Sequence, residues 1–217
     1  MAERTKKPPT RILITRHGQT VTNTEGRFCG HSETDLTPRG KEQASALGRR
    51  LRDTEVHAVY TSDLGRAMET AALILEGREI TASVDPDLRE LHYGEWELEK
   101  GTVVQRRYAE QHRLMRAEDP AWHPPGGENV ATVRKRTHAA LQRIIRKHTH
   151  QTVLIVSHGT AINCMLSEVL GAPVSHTFRI SIGNCGLSEV IIERKHAVIS
   201  LLNDQSHLVG IASPAEA

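Results

Sequence analysis

The chain of 217 residues lacks most features that would place it in a special class. Its three cysteines, Cys29, Cys164 and Cys185, are an odd number without C-x-x-C spacing. That argues against a disulfide framework and against a structural zinc site, and idle thiols in a reducing cytoplasm are the expectation. No apolar run is long enough to span a bilayer. The first ten residues carry basic side chains but no apolar h-region, so they do not read as a secretory signal. A formal net charge of +2 is too small to imply nucleic acid as a partner. Internal repeats and low-complexity stretches are missing as well. What remains is an ordinary globular chain, with 38% hydrophobic and 25% charged residues and a length that suits one buried core. Residues 1–10 are expected to be a disordered tail, 11–208 a single domain with a loop-rich lid at about 83–128, and 209–217 a flexible tail.

What is present is a series of short apolar runs bounded by polar residues and glycine, the pattern of buried strands. Strands are expected at 12–15, 56–60, 80–84, 152–156, 187–193 and 197–202, the last two joined by a turn at Arg194-Lys195. Thr37 and Pro38 mark a helix start, with Ala44, Leu47 and Leu51 on its apolar face. Ser62 or Asp63 is expected to cap a second helix carrying Arg66 in its first turn. Helices are also expected at 103–117, at 130–147 behind Asn129, and at 160–170. The inward face of 130–147 would be Val133, Thr137, Leu141 and Ile144. Residues 19–33, 87–96 and 120–129 read as loops. Strands alternating with helices predict a three-layer α/β/α sandwich with a mostly parallel central sheet.

Two of the strands end alike, in Arg16-His17-Gly18 and Ser157-His158-Gly159. In open α/β sheets ligands bind beyond the carboxyl ends of strands. The helix after His158 offers amides and a positive dipole end to an anion. Arg16 and Arg66 add guanidinium forks that match phosphoryl oxygens. The combination reads as a phosphate site, although each piece alone has a plainer reading. A lone histidine after a strand is more often structural, Arg66 alone is a solvated helix residue, and Glu90 alone is a surface carboxylate.

Taken in order, these residues form a pattern. Arg16-His17-Gly18 is followed by Thr20 and Asn23, then by Leu36-Thr37-Pro38-Arg39-Gly40 and Thr61-Ser62-Asp63-Leu64-Gly65-Arg66-Ala67. Leu88-Arg89-Glu90, Tyr93-Gly94-Glu95-Trp96-Glu97 and Ser157-His158-Gly159 complete it. The chain resembles, from Arg11 to about Leu208, the histidine phosphatase superfamily, which includes cofactor-dependent phosphoglycerate mutases and many phosphomonoesterases. The resemblance implies that His17 is a nucleophile forming a phosphohistidine. It implies that Arg16, Arg66 and His158 bind the non-bridging oxygens, with Gly159 in the same phosphate-binding set and Asn23 at the pocket edge. Glu90 would protonate the leaving alkoxide and then activate water. No metal is expected, and no cofactor unless the protein is a mutase, which would use 2,3-bisphosphoglycerate. The expected partners are a small phosphorylated substrate and inorganic phosphate, with no nucleic acid and no membrane. A homodimer is left open, and the expected location is the cytoplasm.

Glutamine at position 19, where the family usually has glutamate, carries no weight. Leu98 stands where glycine is common after Trp-Glu, so the local turn is expected to differ. Cys29 stands where mutase-like members tend to have serine. The stretch between Glu90 and His158 is shorter than in phosphoglycerate mutases, and no extended mutase-like tail is expected. Arg106 and Arg107 could stand in for only part of the mutase basic patch. A short lid admits water, which favours hydrolysis over mutase chemistry. A catalytically silent phospho-ligand module is the remaining alternative. Tyr93 and Trp96 are expected to pack beneath the Glu90 loop, and His92 to face solvent. Glu128 is expected to be a helix N-terminal carboxylate. Arg134, Lys135, Arg136, Arg143, Arg146 and Lys147 would form a solvated helix face.

Overall fold

In the computed structural model, which describes residues 7–193 and 196–211, the apolar runs align as one six-stranded sheet. Its strands are β1 (Thr10–Arg16), β2 (Ala58–Thr61), β3 (Ala82–Val84), β4 (Thr152–Ser157), β5 (Leu187–Glu193) and β6 (His196–Asp204). Their order across the sheet is β3-β2-β4-β1-β5-β6. The first four run parallel, and β5 pairs antiparallel with both β1 and β6.

The helices are α1 (Val21–Thr24), α2 (Pro38–Arg50), α3 (Gly65–Ile74), α4 (Gly101–Arg107), α5 (Ala109–Arg116), α6 (Val130–Lys147) and α7 (Gly159–Val169). Alternation along β1 separates the layers. Leu13 joins Ala44 and Leu47 of α2 and Ala67, Ala71 and Ile74 of α3 on one face. Ile12 and Ile14 join Leu141 and Ile144 of α6 and Ile162 and Leu166 of α7 on the other. The result is the expected three-layer sandwich. Strand β4, covered on both faces, is buried along its whole length. A third cluster, with Leu91, Trp96, Val104 and Trp122, seats the segment after Glu90 against Val130 and Val133 of α6. Among the described residues no helix is long and apolar enough to cross a membrane.

Several elements differ from expectation for local reasons. The stretch 19–33 contains α1, closed by a reciprocal cap between Thr20 and Asn23 and too short to show periodicity. Helix α3 is capped by neither Ser62 nor Asp63: Leu64 takes the cap position, with no side-chain cap. Asp63 is engaged by Arg89 at 2.7 Å, and the Gly65 amide instead donates to Glu33 at 3.1 Å. The helix expected over 103–117 breaks at Tyr108, whose φ of −121° and ψ of 47° separate α4 from α5. Its hydroxyl donates to Glu95. Leu98 sits at φ 64°, so the turn keeps the left-handed backbone that a glycine would adopt freely. Thr10 is buried and opens β1, so its residue belongs to the sheet rather than the tail. The tails at 1–6 and 212–217 and the turn at Arg194-Lys195 lie outside the described residues.

Candidate functional site

The register of the sheet builds the site. β1 pairs with β4 so that Arg16 lies opposite Ser157, and the His17 amide donates to the Ser157 carbonyl at 3.0 Å. The two histidines therefore leave the sheet side by side, with ring centroids 5.2 Å apart. After His17 the chain turns against the start of α2. A Cβ on Gly18 would lie 2.3 Å from the Gly40 carbonyl oxygen, so only glycine fits this crossing. The Gly18 amide donates to Thr70 Oγ1 at 3.0 Å, and that hydroxyl donates to the Arg66 carbonyl one helical turn back.

His17, only 4% exposed, has Nδ1 2.7 Å from the Gly18 carbonyl oxygen. A carbonyl only accepts, so Nδ1 carries the proton and Nε2 keeps its lone pair. Burial, then the charges of Arg66 and Arg16, holds its pKa well below the ordinary histidine range. The ring is neutral. His158 is fully buried and is pushed the same way, first by burial and then by Arg66. Neither of its ring nitrogens has a hydrogen-bond partner.

Arg66, 2% exposed, is fixed by donation from Nη1 to the Ser32 carbonyl at 3.0 Å and from Nη2 to the Gly30 carbonyl at 2.7 Å. Arg16 donates from Nη1 to the Ile182 carbonyl at 2.9 Å. The Nε of each arginine is buried without an acceptor. Burial lowers the pKa of Arg16, and the nearby Glu90 charge opposes that shift. The Glu90 carboxylate accepts from the Leu91 amide at 2.8 Å and from the Thr160 amide at 3.1 Å. The amide end of α7, expected to face an anion, thus engages this carboxylate at Thr160. A Cβ on Gly159 would lie 3.7 Å from Glu90 Oε2 and 3.8 Å from the Arg16 guanidinium carbon, which places Gly159 in the same cluster. Asn23 reaches it through Asn184, whose amide nitrogen donates to the His17 carbonyl at 3.0 Å and to Asn23 Oδ1 at 3.1 Å. His17, Arg16, Arg66, His158, Glu90, Gly159 and Asn23 converge as the motif order suggested.

Other expectations need correction. Arg136 is not part of a solvated face. It donates to the carbonyls of Asp87, Arg89 and Glu90 at 3.0, 2.6 and 2.7 Å, and pairs with Glu128 through two bonds. Glu128 is consequently a partner of Arg136 rather than a simple helix-end carboxylate. Arg134 pairs with Glu168, and Arg143 with Asp85 and Asp87, so half of that basic face is spoken for. His92 is only partly exposed, its ring edge-on to His31 with centroids 4.8 Å apart. Trp96 is fully buried, and the Tyr93 hydroxyl reaches Thr160 Oγ1 at 3.4 Å, as packing under the Glu90 loop requires. Sequence reasoning missed Asn184, Thr70, His31 and the role of Arg136. The glycines around Gly183-Asn184-Cys185-Gly186 marked a tight turn, which was the only available pointer to Asn184.

Comparison with known proteins is consistent along nearly the whole chain. A family model described as histidine phosphatase superfamily (branch 1) matches residues 12–205. A curated relative from Proteus mirabilis, named "Probable phosphoglycerate mutase GpmB", is 32% identical, covering 93% of this chain and 96% of its own. Among solved structures, YhfR of Bacillus stearothermophilus superposes with a TM-score of 0.88 at 30% identity, over 92% of this chain and 99% of that one. The alpha-ribazole phosphatase of Shigella flexneri gives 0.83 at 30% identity, over 89% and 96%. A mycobacterial glucosyl-3-phosphoglycerate phosphatase in complex with VO3 gives 0.80 at 28% identity, over 89% and 98%. With the fold, the paired strand ends and the matched residues all pointing one way, the chain belongs to the histidine phosphatase superfamily.

Proposed function

We propose that this protein is a metal-independent phosphomonoesterase that acts on a small phosphorylated metabolite through a phosphohistidine on His17. The observation that carries the reading is an excess of buried donors around one bare imidazole nitrogen. Arg16 Nε and Arg66 Nε have no acceptor, neither nitrogen of His158 has a partner so its one N–H is free to donate, and His17 Nδ1 is anchored while Nε2 is not. An unpaired buried polar group costs about 1–3 kcal/mol, so several in one place favour a ligand rich in acceptor oxygens. A phosphoryl group meets that demand.

In the first step Nε2 of His17 attacks phosphorus in line, the bond from phosphorus to the ester oxygen breaks, and protonated Glu90 gives its proton to the departing oxygen. Arg16, Arg66 and His158 hold the three equatorial oxygens as charge spreads onto them. In the second step ionised Glu90 takes a proton from water, whose oxygen attacks phosphorus. The N–P bond then breaks and inorganic phosphate leaves. The guanidinium groups supply the positive charge that a metal ion supplies in other phosphoryl-transfer sites.

Hydrolysis is also supported by the names of the structural neighbours, which include phosphatases. The curated relatives bear a mutase name, and this favours a second reading as a 2,3-bisphosphoglycerate-dependent phosphoglycerate mutase. One assay separates them. Release of p-nitrophenol from its phosphate ester that persists in EDTA, is inhibited by vanadate and is accompanied by no isomerisation of 3-phosphoglycerate supports the phosphatase. Isomerisation stimulated by bisphosphoglycerate, with little hydrolysis, supports the mutase. Absence of both over a broad substrate panel sinks the catalytic reading.

A further inference from the structure

Glu90 lies on an irregular segment between two short 3-10 turns, Pro86–Leu88 and Gly94–Trp96, with no ladder of strand or helix bonds to hold it. A proton donor has to stay within hydrogen-bond reach of the leaving oxygen, so something else must fix that backbone. Arg136 on α6 does so. Its Nη1 donates to the carbonyls of Asp87 (3.0 Å) and Arg89 (2.6 Å), and its Nη2 to that of Glu90 (2.7 Å). Its Nε and Nη2 also donate to Glu128, at 3.0 and 2.8 Å. A guanidinium has five N–H groups, and these bonds occupy all of them.

Glu128 in turn accepts from the His92 amide at 3.0 Å, which ties down the far side of the same segment. His31 contributes a second bond to the Glu90 carbonyl, from Nε2 at 2.8 Å. The carboxylate of Glu90 projects from this clamped main chain onto the Thr160 amide. Lysine, with one nitrogen and no planar fork, cannot reach three carbonyls and a carboxylate together.

We propose that Arg136, anchored by Glu128, is the positioning residue for the proton donor. It sets where the Glu90 carboxyl meets the leaving oxygen and touches no substrate itself. This rests on the reading of Glu90 as that donor, and its signature is selectivity for leaving group. Esters of alcohols with high pKa need the proton, whereas p-nitrophenolate departs without it.

The test measures kcat/KM, which reports phosphoryl transfer, for a series of aryl and alkyl phosphates with the wild type, Glu90→Gln, Arg136→Lys and Glu128→Gln. A misplacement near 1 Å can cost about 100-fold, so Arg136→Lys should lose roughly ten- to 100-fold more on alkyl esters than on p-nitrophenyl phosphate. Glu128→Gln should show the same pattern more weakly, and it keeps the test decisive if Arg136→Lys fails to fold. Equal losses on all esters, or none, in a folded variant would mean that the clamp only stabilises the loop, and the inference falls. If Glu90→Gln itself shows no dependence on leaving group, the donor reading fails first and takes the inference with it. A steep dependence in Glu90→Gln but a flat one in both clamp variants overturns the inference alone.

Discussion

His17 and His158 end neighbouring strands with the same His-Gly ending, yet their rings are held in opposite ways. His17 is pinned on every side: Nδ1 to the Gly18 carbonyl, its own carbonyl by Asn184, and the following amide by Thr70. His158 shares the burial and the nearby guanidinium charges, but both its ring nitrogens are unpaired. A pinned ring presents one defined lone pair, as a nucleophile must. An unpinned ring beside it can turn a donor toward whatever oxygen arrives. Under the proposed mechanism the shared His-Gly ending thus serves two purposes, and the difference comes from partners elsewhere in the chain.

The contrast can be broken by removing each ring in turn. His17→Ala should lower kcat/KM by about 10,000-fold or more and abolish any acid-labile phosphoprotein trapped by rapid quenching. His158→Ala should cost about 100- to 1,000-fold, the scale of one lost transition-state donor, and still yield labelled protein. Equal residual activity in the two variants would erase the distinction between nucleophile and donor.

Acid should reveal what the rings share. Both are neutral in the folded protein because burial, reinforced by Arg66, depresses their pKa below 6.5. The unfolded chain binds protons there that the folded chain refuses, so stability is intact above pH 6.5 and declines as pH falls below it. Urea denaturation across this range checks the slope, and His158→Ala should make it shallower.

The pinning itself can be loosened more gently. Asn184→Ala removes the bridge between the His17 carbonyl and Asn23 Oδ1, leaving Asn23 held through the Thr20 amide. Steady-state kinetics should show a loss of roughly ten-fold in kcat/KM, the worth of about one hydrogen bond. The smallest effect belongs far from the rings. Leu98→Gly relieves a left-handed backbone strain of about 1 kcal/mol and gives back a similar amount in chain entropy. Its melting temperature should stay close to that of the parent, with activity unchanged.

Where the sequence was readable, the physics was local. Thr37 and Pro38 start α2, Asn129 accepts from the Thr132 amide to cap α6, and Val133, Thr137, Leu141 and Ile144 are buried as one stripe. The strand endings were equally plain, because a short apolar run followed by His-Gly needs no distant information. At the site, the failures were contacts between remote polar groups. Asn184 is 167 residues from the carbonyl it holds, and Arg136 is 47 from that of Arg89. Such bonds leave no period in the sequence, and an arginine at a helix surface looks the same whether it meets water or three carbonyls. Asp63, one of the two residues expected to cap α3, is a similar case, since its carboxylate is taken by Arg89, 26 residues away.

The pairing of Arg16 with Ser157 in the sheet has a further consequence. The spacing between the two histidines is dictated by interstrand hydrogen bonds and is indifferent to the length of chain looping out between them. Segments beyond the strand ends can therefore be lengthened, shortened or exchanged while the centre keeps its dimensions. Diversification of substrate range by grafting the stretch from α4 to α5, which leaves Glu90 and Glu128 in place, should be feasible on this scaffold, whereas a one-residue insertion within β1 or β4 would turn the ring that follows it toward the other face.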